Sequence, residues 1–186
     1  MRKLVVFETV SLDGYFAGLN GDLSWAHTND DDEWSDFVSN NASGDDGPLL
    51  FGRITYEMMV SFWPTPQATQ SMPKVAEGMN SRPKVVFSKT LENSPWNNTK
   101  IARDAVDAVR QMKDESGENL VVLGSGQIVS QLASAGLIDE LQLVVAPVIL
   151  GDGKKLFNGV NQKDLTLTKT RTFKNGNILI CYEPKA

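Results

Sequence analysis

Three short segments carry residue types suited to holding an anion, and each follows an apolar run. The first is Gly52-Arg53-Ile54-Thr55, directly after Leu49-Leu50-Phe51. Glycine lets the backbone approach a ligand, arginine offers a charge-assisted fork, and Thr55 with a helix N-terminus supplies hydroxyl and N–H donors. The same residues also read as an ordinary strand–turn–helix connection with a threonine cap. The second is Gly124-Ser125-Gly126-Gln127, after Leu120-Val121-Val122-Leu123. Two glycines around a serine can bring successive N–H groups against a pyrophosphate, or can simply let a helix pack closely on a sheet. This turn has neither the GxGxxG spacing nor a P-loop lysine. The third is Val86-Phe87-Ser88-Lys89-Thr90, whose serine and lysine suit either an isolated phosphate or a solvated turn.

Groups able to move a proton lie mainly in the first third of the chain. Asp13 sits in Ser11-Leu12-Asp13-Gly14, and Asp30, Asp31, Asp32 and Glu33 form an acidic run. Such a run suits the first turn of a helix, where the dipole favours it. One of its carboxyls, walled by apolar groups, would instead have a raised pKa and could donate a proton. Asp13, Asp30 and Asp31 are therefore the candidates for catalysis. Trp25, in Gly21-Asp22-Leu23-Ser24-Trp25, either covers a bound ring or anchors its loop to the core. His27, close by, is an acid–base candidate or a surface residue. Lone Cys181 reads as a small core hydrophobe.

The elements that must position these residues follow from periodicity. Strands are predicted over Leu4–Val10, Leu49–Phe51, Lys84–Ser88, Lys100–Ala102, Leu120–Leu123 and Leu141–Leu150. Helices are predicted over Asp31–Asn40, from Thr55 to Pro64, around Val75–Met79, over Arg103–Ser116 and over Gln127–Ala135. Asn41–Pro48 reads as loop. Leu165–Phe173 and Ile178–Glu183 alternate across Asn175-Gly176, a hairpin signal. Strands alternating with helices imply a mainly parallel sheet covered on both faces, with the hairpin antiparallel at an edge. In such sheets ligands bind at the carboxyl ends of the strands, where all three anion-type segments fall.

The composition bounds the possibilities. With 186 residues the chain has the length of one ordinary domain. One cysteine and one histidine exclude an intrachain disulfide and a Cys/His zinc cluster, so no metal site is expected. They also exclude Ser-His-Asp and Cys-His sites unless His27 is the base. A formal net charge of −5 argues against general nucleic-acid binding. Only four apolar residues follow Lys3 before Glu8, so neither a signal-peptide core nor a membrane span is read here, and a cytoplasmic location is the default.

Taken in order, these motifs resemble a known family. Leu49-Leu50-Phe51-Gly52-Arg53-Ile54-Thr55-Tyr56-Glu57 looks like the strand and helix start by which dihydrofolate reductases hold NADPH. The Gly-Asp-Leu-Ser-Trp loop resembles their mobile active-site loop, and Val121 to Gly126 their glycine turn. Ser11-Leu12-Asp13-Gly14 and Pro147-Val148-Ile149-Leu150-Gly151-Asp152-Gly153 are closer to one branch of that superfamily, the reductase domain of the riboflavin-biosynthesis deaminase–reductase. The resemblance implies one α/β domain over residues 1–186, with a mixed, mostly parallel central sheet, helices on both faces and a C-terminal β-hairpin. It implies an NADPH-dependent reductase acting on a small-molecule substrate, pterin-like or of the ribosylaminopyrimidine type, and a homodimer. The alternative is a non-catalytic nucleotide- or metabolite-binding module on the same fold. By position, Gly52, Arg53 and Thr55 would hold cofactor phosphates, Ser88 and Lys89 would lie near the adenosine 2′-phosphate, and Gly124, Ser125 and Gly126 near the pyrophosphate. Dihydrofolate reductases carry one acidic residue on the helix after the tryptophan loop, and here the run from Asp30 to Glu33 offers several. The deaminase half needs more histidine and cysteine than this chain has.

Overall fold

Apolar runs without alternation become inner strands, because both faces of a parallel sheet are covered by helices. In the computed structural model, which describes residues 1–27, 31–43 and 47–185, these runs are β1 (Leu4–Ser11), β3 (Leu49–Gly52), β4 (Lys84–Phe87), β6 (Leu120–Leu123) and β7 (Glu140–Ala146). With β5 (Thr99–Ala102) and the terminal strands β9 (Leu165–Thr172) and β10 (Ile178–Pro184), they form an eight-stranded sheet. Its order is β5-β4-β3-β6-β1-β7-β10-β9. The pairs from β5 to β7 are parallel, and β10 is antiparallel to both β7 and β9. The mixed, mostly parallel α/β architecture expected from the sequence is thus observed, with the hairpin at one end. Gly176, at φ +90°, closes that hairpin in the left-handed region that glycine tolerates.

Helices cover both faces. On one, α5 (Ala105–Asp114) and α6 (Gly126–Ser134) pack Val109, Ile128, Val129 and Leu132 against Leu4, Val6, Val10, Leu120 and Val122. On the other lie α1 (Asp32–Ser43), α2 (Arg53–Phe62) and α4 (Pro73–Ser81), with Trp34, Tyr56, Val75 and Met79 against the intervening strand positions. A short α3 (Pro66–Ser71) precedes α4. The sequence reading missed it, although Thr65-Pro66 is a cap-and-N1 signal: the Thr65 hydroxyl accepts from the Ala68 N–H at 3.3 Å.

Several features differ from expectation. The predicted strand Leu141–Leu150 ends at Ala146, because Pro147 has no N–H to continue the ladder. β7 runs between β1 and β10, and the edge strand at that end of the sheet is β9, exposed along nearly its whole length. Residues 41–43, expected to be loop, extend α1. The segments after β1 and after β7 meet in a second, two-stranded sheet of β2 (Tyr15–Ala17) and β8 (Lys154–Lys155). There Gly153, at φ +145°, lets the chains approach so closely that a Cβ would lie 2.3 Å from the Ala17 carbonyl oxygen. No helix among the described residues is long and apolar enough to cross a membrane.

Candidate functional site

The three anion-type junctions come together. Ser88-Lys89 follows β4, Gly52-Arg53 ends β3, and Gly124-Ser125-Gly126 follows β6, and these strands are neighbours. Their carboxyl ends form one row that continues to the end of β1. β6 enters between β3 and β1, and the last β1–β6 pair is Phe7 with Leu123. On its other side β1 stays paired to β7 as far as Ser11 with Ala146. From Glu8 onward β1 therefore has no strand partner on the β6 side, and the crevice expected at the carboxyl ends of such a sheet falls where the glycine turn leaves it. Phe7, Glu8 and Thr9, on a central strand, all keep partial exposure.

Each side of the glycine turn is built by close approach. Gly124 has φ +61° and Ser125 φ +70°, ψ 50°. A Cβ on Gly124 would stand 2.9 Å from the Thr55 methyl, so only glycine lets the turn lie against the first turn of α2. Ser125 Oγ accepts the Gly52 N–H at 2.8 Å and donates to the Leu123 carbonyl at 3.3 Å, tying the two junctions together. At Gly126 a Cβ would fall 2.2 Å from Phe16 Cε1, so the Phe16 ring of β2 lies on the start of α6. The first N–H groups of α2 and α6 have no side-chain cap. By contrast α3 and α5 are capped by Thr65 and Asp104. Two uncapped helix N-termini side by side present donors and positive dipole ends to an anion.

Other expected residues take different roles. Arg53 Nη1 donates to both Glu57 carboxylate oxygens at 2.9 Å across one turn of α2. Its remaining N–H groups have no acceptor among the described residues. The Ser88 hydroxyl is buried and accepts from the Thr90 and Leu91 N–H groups at 3.2 and 2.9 Å, so it shapes the turn, while Lys89 is exposed. Arg103, which sequence reasoning passed over, braces the same turn by donating to the Ser88 and Leu91 carbonyls. Trp25 is buried, with Nε1 donating to the Asp22 carbonyl at 3.1 Å: it anchors the loop. His27 ends a helical turn over Ser24–His27, and Asp30 lies outside the described residues.

Two of the carboxylates singled out by the sequence have partners in the structure. Asp13 accepts from the Ser11 hydroxyl at 2.7 Å, from the Gly151 N–H at 2.8 Å and from the Leu150 N–H at 3.1 Å. These bonds, the Ser11 hydroxyl foremost, hold its pKa down at about 2. It is ionised at neutral pH, has no proton to donate, and instead pins the end of β1 to the loop after β7. Asp31 Oδ1 accepts the Trp34 N–H at 2.8 Å, which makes it the cap of α1.

A carboxyl not singled out by the sequence, that of Glu8, also lies at this strand end. Its Oε1 accepts the N–H of the next residue, Thr9, at 3.1 Å, while Oε2 is out of solvent contact and has no partner among the described residues. Burial pushes its pKa up to about 8, with the Thr9 N–H opposing. In the sequence it looked like the first charge of an apolar run. Its one available signal was a glutamate interrupting a strand that must be central. Two concavities, of about 360 Å³ beside Cys181 and about 740 Å³ beside Lys163, lie away from this crevice and gather none of its glycines.

Comparison with known proteins agrees with this frame. Dihydrofolate reductase from Enterococcus faecalis, solved with NADP(H) and RAB-propyl, superposes with a TM-score of 0.68 over 99% of this chain and 97% of its own, at 15% identity. The fold is that of the dihydrofolate reductases. Residues 2–179 match the RibD C-terminal domain, and the chain belongs to that family. A putative riboflavin biosynthesis protein from Shewanella sp. PV-4 is 25% identical, with a TM-score of 0.73 and 99% of each chain covered. The uncharacterized protein YyaP of Bacillus subtilis (strain 168) is 28% identical over 182 residues, 97% of this chain and 94% of its own.

Proposed function

We propose that the protein is an NADPH-dependent reductase that delivers hydride to a C=N or C=O bond of a pterin-like or ribosylaminopyrimidine-type substrate. The observation that carries this reading is the pair of uncapped helix N-termini at adjacent strand ends, joined by a turn in which a Cβ on Gly124 would strike Thr55. That cradle suits a pyrophosphate. Gly124, Ser125 and Gly126 would hold it with the start of α6, and Gly52, Arg53 and Thr55 would hold phosphate at the start of α2. Ser88 and Lys89, one strand further out, fit a 2′-phosphate. Bound there, the nicotinamide supplies the hydride. The chain's own part is to orient the two reactants and exclude water. Phe16 on the glycine turn and the Asp13-pinned loop wall that side of the crevice.

Support for the substrate class comes from the family's tie to riboflavin biosynthesis and from the likeness to a dihydrofolate reductase. Calorimetric titration should show NADPH binding, with NADH and the Lys89→Ala variant weaker. No binding at millimolar NADPH refutes the reading. Loss of NADPH absorbance with dihydrofolate, an aminouracil riboside or a simple carbonyl then identifies the enzyme, and binding without oxidation identifies a binding module. As a homodimer it would pair an edge strand, of which β9 is more exposed than β5, and light scattering at micromolar concentration reads the oligomeric state.

A further inference from the structure

Reduction of a C=N or C=O bond needs a proton as well as a hydride, and Asp13, held ionised by its contacts, has none to give. We propose that Glu8 is the proton donor of this site, giving its carboxyl proton to the nitrogen or oxygen of the double bond whose carbon accepts hydride. This rests on the reductase reading above.

The placement argues for it first. Glu8 is the first β1 residue beyond the last β1–β6 pair, level with the start of the glycine turn. Alternation along β1 puts it on the face of Val6 and Val10, which pack with Ile128 and Val129 of α6, and its β7 partner Leu143 belongs to the same cluster. It therefore stands at the mouth of the crevice, on the side walled by α6. Its Oε2 is an orphan: buried, unpartnered among the described residues, and adjacent to an oxygen that already has a donor. A buried carboxyl whose free oxygen faces no protein donor is stable as the neutral acid, which carries one O–H to offer. Among the described side chains no charge stabilises the ionised form, and the turn Ser24–His27 that packs on β1 adds one ionisable residue, His27. β6 and α6 contain no ionisable residue, β2 adds only Tyr15, and the one acid of β7, Glu140, pairs with Val5, three residues before Glu8 on β1. Glu8 thus keeps a proton through neutral pH, whereas Asp13 does not.

The step balances. A C–H bond forms with hydride from the reduced dinucleotide, the π bond breaks, and its electrons take the proton of Glu8 as a new N–H or O–H. The substrate gains two electrons, the dinucleotide loses two, and the Glu8 carboxylate regains its proton from water.

The test compares wild type with Glu8→Gln, which keeps shape and removes the acid. NADPH affinity is measured by calorimetry, turnover with whichever of the substrates named above is oxidised fastest, and protonation by ¹³C NMR of carboxyl-labelled glutamate in the free protein. Expected are an unchanged NADPH affinity, turnover reduced about 100-fold or more, and one carboxyl titrating near pH 8 in wild type and missing in the variant. In wild type, turnover falls as pH rises through that value. Turnover above about a third of wild type, or a glutamate spectrum without the high-pH titration, overturns the proposal. So does loss of NADPH affinity in the variant, which would make Glu8 a cofactor ligand. A wild type that fails to bind or oxidise NADPH overturns the reductase reading, and the proposal falls with it.

Discussion

The burial of Glu8 has a cost in stability that can be measured without any substrate. Its carboxyl is raised from 4.5 to about 8 in the folded chain. Between those values the unfolded chain has lost this proton while the folded chain retains it. Stability contributed by the group is thus fully present below pH 4.5 and declines as pH rises toward 8, where the folded state ionises too. At about 1.36 kcal/mol per pH unit the whole span amounts to roughly 4–5 kcal/mol, a large share of an ordinary domain's stability. Glu8→Gln removes the titration. Its unfolding free energy, set against wild type at the same pH, should therefore rise steadily between about pH 5 and about pH 8. Urea unfolding followed by tryptophan fluorescence at several pH values gives the two curves, and a common m-value confirms that only stability has changed. The variant should be the more stable protein at pH 8 and the less active one. A stability difference that moves by less than about 1 kcal/mol across the window refutes the assignment of a buried, neutral Glu8.

Two further outcomes follow from other parts of the molecule. Lys84, only 1% exposed, donates to the Met79, Asn80 and Arg82 carbonyls at the end of α4 and lies 4.6 Å from the centre of the Trp96 ring. Lys84→Met strands those oxygens, so calorimetry should find about 3–5 kcal/mol lost and Tm lowered by on the order of 10 °C; a drop under about 3 °C contradicts the role. Gly124→Ala strains a left-handed backbone and collides with Thr55, so NADPH binding should weaken by about tenfold or more. Gly176→Ala, strained likewise in the distant hairpin, should cost similar stability and leave NADPH affinity unchanged; equal effects on affinity would show that the glycine turn is not the cradle.

Much of the site was readable in one dimension because strand–turn–helix junctions are local. Gly52-Arg53 and Gly124-Ser125-Gly126 follow apolar runs directly, and in a parallel sheet every such junction lies at the same edge. The sequence could not say that β3 and β6 are neighbours, that Ser125 bonds Gly52, or that Phe16 lies on Gly126, since those pairings cross long stretches of chain. Nor could it sort the acids. Asp13 looked free to react until the loop after β7 brought the Leu150 and Gly151 N–H groups to it. Trp25 left two roles open, and burial with an internal donor bond chose anchoring.

What the residues determined alone was the class of structure: apolar runs of strand length, helical periodicity between them, and the Asn175-Gly176 hairpin. Those are short-range preferences, set by sterics and by the spacing of apolar side chains along one stretch of chain. What only the tertiary structure decided was protonation. Asp13 and Glu8 are both carboxyls beside the same strand end, and nothing in their own chemistry separates them by much. One collects hydrogen-bond donors from a distant loop and stays charged; the other holds one oxygen out of solvent with no donor among the described residues and stays neutral. A side chain's solvation is made by neighbours far away in sequence, so the acid that can give up a proton was legible only after the chain had folded around it.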